Sequence, residues 1–203
     1  SWDVSHLLAS PGCYPTSIIL PLAPLLKEKL IGADDIIANS MSGVSGAGRN
    51  PSEKLMFCER NENACAYGLP RHRHLSEIEE QLSAFQGQKL TLSFHPHLVP
   101  INRGICTTIS ALSADQVKVE DIHACWNAYY GDRAFVKILE NESFPEIKNV
   151  VRTNGIDIAV HHDSRTNRFT LCSAEDNLVK GAGGQAIQAM NICQGYPENT
   201  GLL

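Results

Sequence analysis

The octapeptide Ser10-Pro11-Gly12-Cys13-Tyr14-Pro15-Thr16-Ser17 carries the residue best suited to nucleophilic chemistry in this chain. An apolar run from Ile18 to Leu30 follows it. Proline fits the first turn of a helix, where its missing N–H is not needed, so Cys13 is expected at or just before a helix N-terminus. Unpaired backbone N–H groups there would stabilise a thiolate, lower the cysteine pKa, and donate to an oxyanion formed beside the sulfur. The same octapeptide also suits a small buried cysteine at a helix start, the commoner setting of a free thiol.

A nucleophilic cysteine needs a proton-handling partner brought to it by the fold. Among eight histidines, His74 leads. It precedes an expected helix and lies beside Arg71 and Arg73, whose charge disfavours imidazolium and keeps the ring neutral. The plainer reading is a basic cluster that pairs with Glu77, Glu79 and Glu80. His72 and His74 could form an HxH metal pair, but no third ligand stands at metal spacing, so no metal site is expected. His95 with His97, and His161 with His162, read as ordinary strand-end and turn residues. The segment Ser42-Gly43-Val44-Ser45-Gly46-Ala47-Gly48-Arg49 has the composition of an anion cradle without the P-loop pattern. Arg103, after a turn, could clamp a carboxylate or pair with an acid. Gly181-Ala182-Gly183-Gly184 before a helix is either a close-approach point for a cofactor or a packing turn.

These residues need elements to position them. Ile18, Leu22, Leu25, Leu26 and Leu30 fall at helical spacing, and Pro21 and Pro24 predict a kink or two short helices, since an interior proline costs about 3 kcal/mol. Asp35–Met41 reads as a strand, and residues 50–70 as polar loop. Ile78, Leu82 and Phe85 form one face of a helix ended by Gly87. Leu90–Val99 and Gly104–Leu112 read as strands, Glu120–Tyr130 as a helix and Ala134–Leu139 as a short strand. Gly155–His162 and Arg168–Ala174 form a plausible hairpin, and a last helix runs over Ala186–Gln194. This order lacks strict βαβ alternation. It predicts an α+β fold, a mixed and largely antiparallel sheet with helices on one face.

Composition narrows the function classes. With 43% hydrophobic and 19% charged residues the chain is ordinary for a globular protein, and a net charge of −5 offers no basic field for nucleic acid. No apolar run reaches membrane-spanning length, and no signal peptide opens the chain. Seven cysteines without a CxxC pair suit reduced cytosolic thiols better than a disulfide framework. The chain opens Ser1-Trp2-Asp3 and holds no strand followed by GxGxxG. If its chemistry needs a dinucleotide, the half that binds it is expected to be missing from this sequence.

Five ordered motifs, SPGCYPTS, SGVSGAGR, HRHLSEIEEQL, HLVPINRGI and SAEDNLVKGAGGQAIQAMN, closely resemble the N-acetyl-gamma-glutamyl-phosphate reductase family from Pro11 to the end of the chain. The resemblance implies the catalytic-domain fold of glyceraldehyde-3-phosphate and semialdehyde dehydrogenases. It divides the chain into a catalytic and oligomerising part over 1–180 and a C-terminal helix over 181–203 that returns toward an absent Rossmann domain. It implies a cytoplasmic, NADP-dependent enzyme of arginine biosynthesis that takes a small acyl phosphate, releases inorganic phosphate and assembles as a homodimer or homotetramer. Cys13 would be the nucleophile and His74 the acid/base; Ser42, Gly43, Arg49 and Arg103 would line the substrate pocket; Asn177, Lys180 and Gly184 would approach the nucleotide. Ser76 stands where the family usually has proline, and residues 145–155 depart from its usual wording. A related acyl-phosphate reductase, of aspartate-semialdehyde or lysine-pathway type, would share this mechanism. A Cys/His thiol hydrolase or acyltransferase and a non-catalytic oligomerisation module are the alternatives from other classes.

Overall fold

The computed structural model describes residues 7–140 and 143–202; the opening Ser1-Trp2-Asp3 lies outside the described residues. Helix α1 (Cys13–Lys27) is the first element among the described residues. Strand β1 (Ile37–Ser42) leads into a 3₁₀ turn over Val44–Ala47, and residues 50–70 form the short helix α2 (Phe57–Arg60) and the two-residue strand β2 (Cys65–Ala66). Then come α3 (Arg73–Gln86), β3 (Ser93–Leu98), β4 (Ile105–Leu112), α4 (Val119–Tyr130), β5 (Val136–Ile138) and the one-turn α5 (Ile147–Val150). The hairpin β6 (Ile156–Asp163) and β7 (Arg168–Glu175) is followed by a π-helical turn, Val179–Gly183, and by α6 (Gly184–Cys193).

Among the described residues the strands make one seven-stranded sheet in the order β2-β3-β1-β4-β7-β6-β5. Only β1–β3 and β5–β6 are parallel; the other pairs run antiparallel. The α+β expectation therefore holds. Strand β4 alternates strictly: Ile105, Thr107, Ile109 and Ala111 are buried and their neighbours half-buried. That alternation puts one face against the helices, as a period of two requires. Helix α1 lies on it, buried through Tyr14, Ile18, Leu22, Leu25 and Leu26, each side chain contributing about 1.5–3 kcal/mol on burial. Helix α3 seals α1 with Ile78 and Leu82, and α4 does so with Ile122 and Trp126, all four fully buried. The opposite face carries Asn39 paired with His95 and Thr108, and Met41 paired with His97 and Cys106. Met41 there is 45% exposed.

Three local expectations need correction. Pro21 and Pro24 do not divide α1, which is one helix. Each proline removes the N–H that would reach the carbonyl four residues back, and the fold replaces both donors. Ser173 Oγ donates to the Ser17 carbonyl at 2.7 Å, and the Tyr130 hydroxyl donates to the Leu20 carbonyl at 2.9 Å. Helix α3 begins at Arg73, so His74 sits inside its first turn rather than ahead of it. Helix α6 begins at Gly184, two residues early, because the π-helical turn feeds directly into it. Among the described residues no helix is long and apolar enough to cross a membrane.

Candidate active site

Cys13 is the first residue of α1, with Gly12 as N-cap in extended conformation. The Gly12 N–H donates to Glu77 Oε1 at 2.9 Å, so the start of α1 is tied to the start of α3, where His74 stands. A Cβ added to Gly12 would lie 2.5 Å from His74 Nε2. Only glycine permits that approach, so the Gly12-Cys13 pair and His74 are packed as one unit. His72 caps α3: its Nδ1 accepts from the His74 backbone N–H at 3.2 Å. Its ring lies edge-on to those of Tyr14 and His74, with centroids 5.5 and 4.9 Å away. The Tyr14 and Tyr67 hydroxyls share a hydrogen bond of 2.8 Å. These contacts fix the imidazole's plane beside the helix start.

Cys13, His72 and His74 open onto a cavity of about 570 Å³. Ser42 and Gly43 line it with Gly46 and Ala47 of the glycine-rich turn. Lys54, Arg60 and Arg73 bring three cations, and among the described residues no Asp or Glu lines it. Arg60 turns Nη1 to Cys65 Sγ at 3.1 Å, while its buried Nε has no partner among the described residues. An anion would find long-range attraction here.

Ionisation departs from the helix-terminus argument in one respect. Cys13 is pushed up to about 11, first by burial and then by the nearby Glu175 carboxyl; the backbone N–H groups of Tyr14 and Cys13 and the charge of Arg73 pull the other way without prevailing. The expectation of a depressed thiol pKa is corrected accordingly. Desolvation of the sulfur outweighs the partial charge of the helix start. His74 moves in the expected direction, down to about 4, with burial ahead of the charges of His72 and Arg73. Its imidazole is neutral at pH 7 and able to accept a proton.

The remaining candidates are placed elsewhere. Arg49 lines an adjoining depression with Val44, residues 50–53, Leu55 and Met56. Arg103 is held by Asp176, Nη2 donating to Oδ1 at 3.1 Å and Nε 3.0 Å from Oδ2. Asp176 also accepts from the backbone N–H groups of Arg152, Leu178 and Val179, which fixes the chain reversal after β7. Asn177 accepts from Gly104 N–H at 2.7 Å and donates to Ser45 Oγ at 3.1 Å, bracing the glycine-rich turn from behind. Lys180 is buried, its Nζ donating to Gln185 and Gln188 at 2.7 and 2.9 Å. A Cβ on Gly184 would meet Asn154 Oδ1 at 2.3 Å. Asn177, Lys180 and Gly184 thus make their contacts within the fold. Lys54, Arg60 and Tyr67 were invisible in a stretch read as loop; Arg73 and Glu77 stood in plain view, within the basic and acidic clusters around His74.

The description "Semialdehyde dehydrogenase, dimerisation domain" matches residues 13–177. The chain is 50% identical over 198 residues to an N-acetyl-gamma-glutamyl-phosphate reductase of Akkermansia muciniphila, covering 98% of this chain and 57% of that protein. It is 50% identical over 199 residues to the protein of the same name in Geotalea daltonii, covering 98% and 58%. It therefore spans somewhat more than half the length of these relatives. Among solved structures, an aspartate semialdehyde dehydrogenase II from Vibrio cholerae superposes with a TM-score of 0.72 at 15% identity, covering 91% of this chain and 61% of that one. A probable aspartate-semialdehyde dehydrogenase from Pseudomonas aeruginosa gives 0.73 at 16%, covering 95% and 64%. At such identities the likeness speaks for the fold, and the sequence matches carry the assignment. This chain belongs to the semialdehyde dehydrogenase dimerisation-domain family.

Proposed function

We propose that this chain is the catalytic part of an N-acetyl-gamma-glutamyl-phosphate reductase. That enzyme would reduce N-acetyl-gamma-glutamyl phosphate to N-acetylglutamate semialdehyde, with release of inorganic phosphate, in arginine biosynthesis. The observation that carries the reading is one cavity holding a helix-heading cysteine, a neutral histidine packed against its preceding glycine, and three cations without an acid. His74 takes the thiol proton as the sulfur attacks, because with Cys13 near 11 and His74 near 4 a separate transfer would run strongly uphill. The Cys13 sulfur attacks the acyl carbon; a carbon–sulfur bond forms, the carbon–oxygen bond to phosphate breaks, and phosphate leaves. The Cys13 and Tyr14 backbone N–H groups face the oxygen on which charge develops, a contribution of about 3–4 kcal/mol per donor. Lys54, Arg60 and Arg73 hold the anionic ends of the substrate. A reduced nicotinamide nucleotide, NADPH in this reading, would supply the hydride needed to reduce the thioester on Cys13. His74 returns its proton to the substrate oxygen and withdraws it again as the carbon–sulfur bond breaks and the semialdehyde departs.

Asn177, Lys180 and Gly184 make their contacts within the fold, so in this reading the nucleotide is held mainly by a part of the longer protein. Helix α6 supports that division between 1–180 and 181–203: Ile187 and Met190 on it are 41% and 50% exposed, an apolar strip suited to cover by another domain. The open face of the sheet around Asn39 and Met41 supports a homodimer or homotetramer. Seven free cysteines fit a reducing cytoplasm. The test is to mix the chain with N-acetyl-gamma-glutamyl phosphate, beta-aspartyl phosphate or an aminoadipyl phosphate, and to follow phosphate release and acyl mass at Cys13. Acylation at Cys13, fastest with the first compound, supports the reading. Faster acylation by another acyl phosphate moves the substrate, and absence of acylation by all three overturns it.

A further inference from the structure

The mechanism leaves one buried group beside its nucleophile unused. Glu175 ends β7 and is fully buried. Strand alternation puts Phe169, Leu171, Ser173 and Glu175 on the face that α1 covers, and the Ser173 bond to the Ser17 carbonyl confirms that orientation. Glu175 is therefore beneath the N-terminal turn of α1. Its strand neighbours are Ile105 and Ile156, both fully buried. Above it stands Gly181, where an added Cβ would lie 2.7 Å from Cys13 Cβ and 3.0 Å from Glu175 Oε1. The thiol and the carboxyl thus meet across one glycine.

Neither Glu175 oxygen has a hydrogen-bond partner among the described residues. The charged or titratable groups that face it are Lys180 and Asp176 on its own run, and Cys13 from α1. Lys180 spends its Nζ on Gln185 and Gln188, and Asp176 is already bound to Arg103 and three backbone N–H groups. A carboxylate at this place has the charge of Lys180 nearby but no hydrogen bond among the described residues, whereas a thiolate at Cys13 has the first-turn N–H groups. We propose that Glu175 is a positioning residue that acts through Cys13: the two groups share one negative charge, and an ionised Glu175 holds the proton on the sulfur. The proposal rests on the reading of Cys13 as the nucleophile. It is a coupled titration, in which neither apparent value belongs to one residue alone.

The experiment is the alkylation rate of Cys13 against pH, by mass spectrometry on the full chain, in the wild type, Glu175→Gln and Glu175→Leu. With the negative charge removed, the inflection in both variants moves down by about one pH unit, equivalent to about tenfold faster alkylation at a fixed pH below both inflections. Difference infrared spectra of wild type against Glu175→Gln should show a carboxylic-acid carbonyl band that fades as pH rises. An unmoved or raised inflection in folded variants overturns the proposal. So does loss of folding in both, because a carboxyl without a hydrogen bond has no structural bond to lose. A moved inflection with no acylation of the wild-type chain by acyl phosphate breaks the proposed reaction and keeps this inference. Acylation with an unmoved inflection does the reverse.

Discussion

The floor and the rim of the cavity are built on opposite terms. The floor, the layer of Glu175, Asp176, Asn177, Lys180 and Gly181 that lies beneath the start of α1 and outside the cavity lining, is nearly solvent-free. Asp176, Asn177 and Lys180 are 0–2% exposed and have their polar atoms bound inside the fold. The rim, residues 52–73, is made of short turns, one helix of a single turn and a two-residue strand, and its Lys54 and Arg73 stand in solvent. Burial on the floor moves pKa values; the rim's cations are free to meet a ligand. In the proposed reaction the floor sets the ionisation and geometry of the nucleophile and the rim recognises the anionic substrate.

The most severe break in that arrangement is at the joint between the two, His74. We expect His74→Ala to slow acylation of Cys13 by 10²–10⁴-fold, the usual range for loss of a general acid/base, measured as thioester formation over time. The same residue makes a prediction about pH. Its folded value is about 4 against about 6.5 for an unperturbed histidine. The folded chain therefore binds fewer protons than the unfolded chain between those values. Stability from this group is complete above pH about 6.5 and is lost as pH falls toward 4, by up to about 3 kcal/mol. Urea titrations at stepped pH should show that loss in the wild type and a flatter profile in His74→Gln.

The floor is next. Gly181→Ala places a methyl group 2.7 Å from Cys13 Cβ and 3.0 Å from its Cα. Neither atom belongs to a flexible end, so overpacking should cost about 1–3 kcal/mol in thermal or urea unfolding. It should also change the alkylation rate of Cys13. Unchanged stability and unchanged reactivity would show that the floor is looser than its contacts require.

The rim should respond differently. Arg60→Gln and Lys54→Gln, each exchanging a cation for a neutral amide, should raise the acyl-phosphate concentration needed for half-maximal acylation about tenfold or less, or about 1.4 kcal/mol, with stability nearly unchanged. A large loss of stability instead would place these residues with the floor.

Sequence reading fared well where periodicity and caps speak, and poorly where contact is made at a distance. The α3 stripe Ile78, Leu82, Phe85 and its Gly87 stop are local signals, and the helix is there with Gly87 left-handed at φ 83°. The β6–β7 hairpin was legible for the same reason. Cys13 was found by its place at a helix start and His74 by its flanking charge and helix start. The sign of the Cys13 shift was not legible. It depends on burial and on Glu175, 162 positions away in sequence, which strand parity and one glycine bring beneath the sulfur. Lys54 and Arg60 were missed because a run of single turns has no period to read. The prolines of α1 misled for a related reason. Propensity counts the lost hydrogen bond, but a hydroxyl from another element can restore it.

That restoration yields the smallest prediction and separates the two hydroxyl donors. Ser173 is on the floor side and its Oγ is buried against the Ser17 carbonyl at 2.7 Å; Tyr130, on α4, reaches the Leu20 carbonyl at 2.9 Å. Ser173→Ala and Tyr130→Phe each leave a helix carbonyl without its proline-displaced donor, so each should cost about 1–2 kcal/mol in urea unfolding. Their sum should be nearly additive, because the donors come from different elements and share no partner. The active-site consequence should differ between them. Ser17 is one turn from Cys13 and Leu20 nearly two, so Ser173→Ala should perturb the alkylation rate of Cys13 more than Tyr130→Phe at equal loss of stability. Equal perturbation by both would mean that α1 responds as a rigid rod and that the floor has no special hold on its first turn.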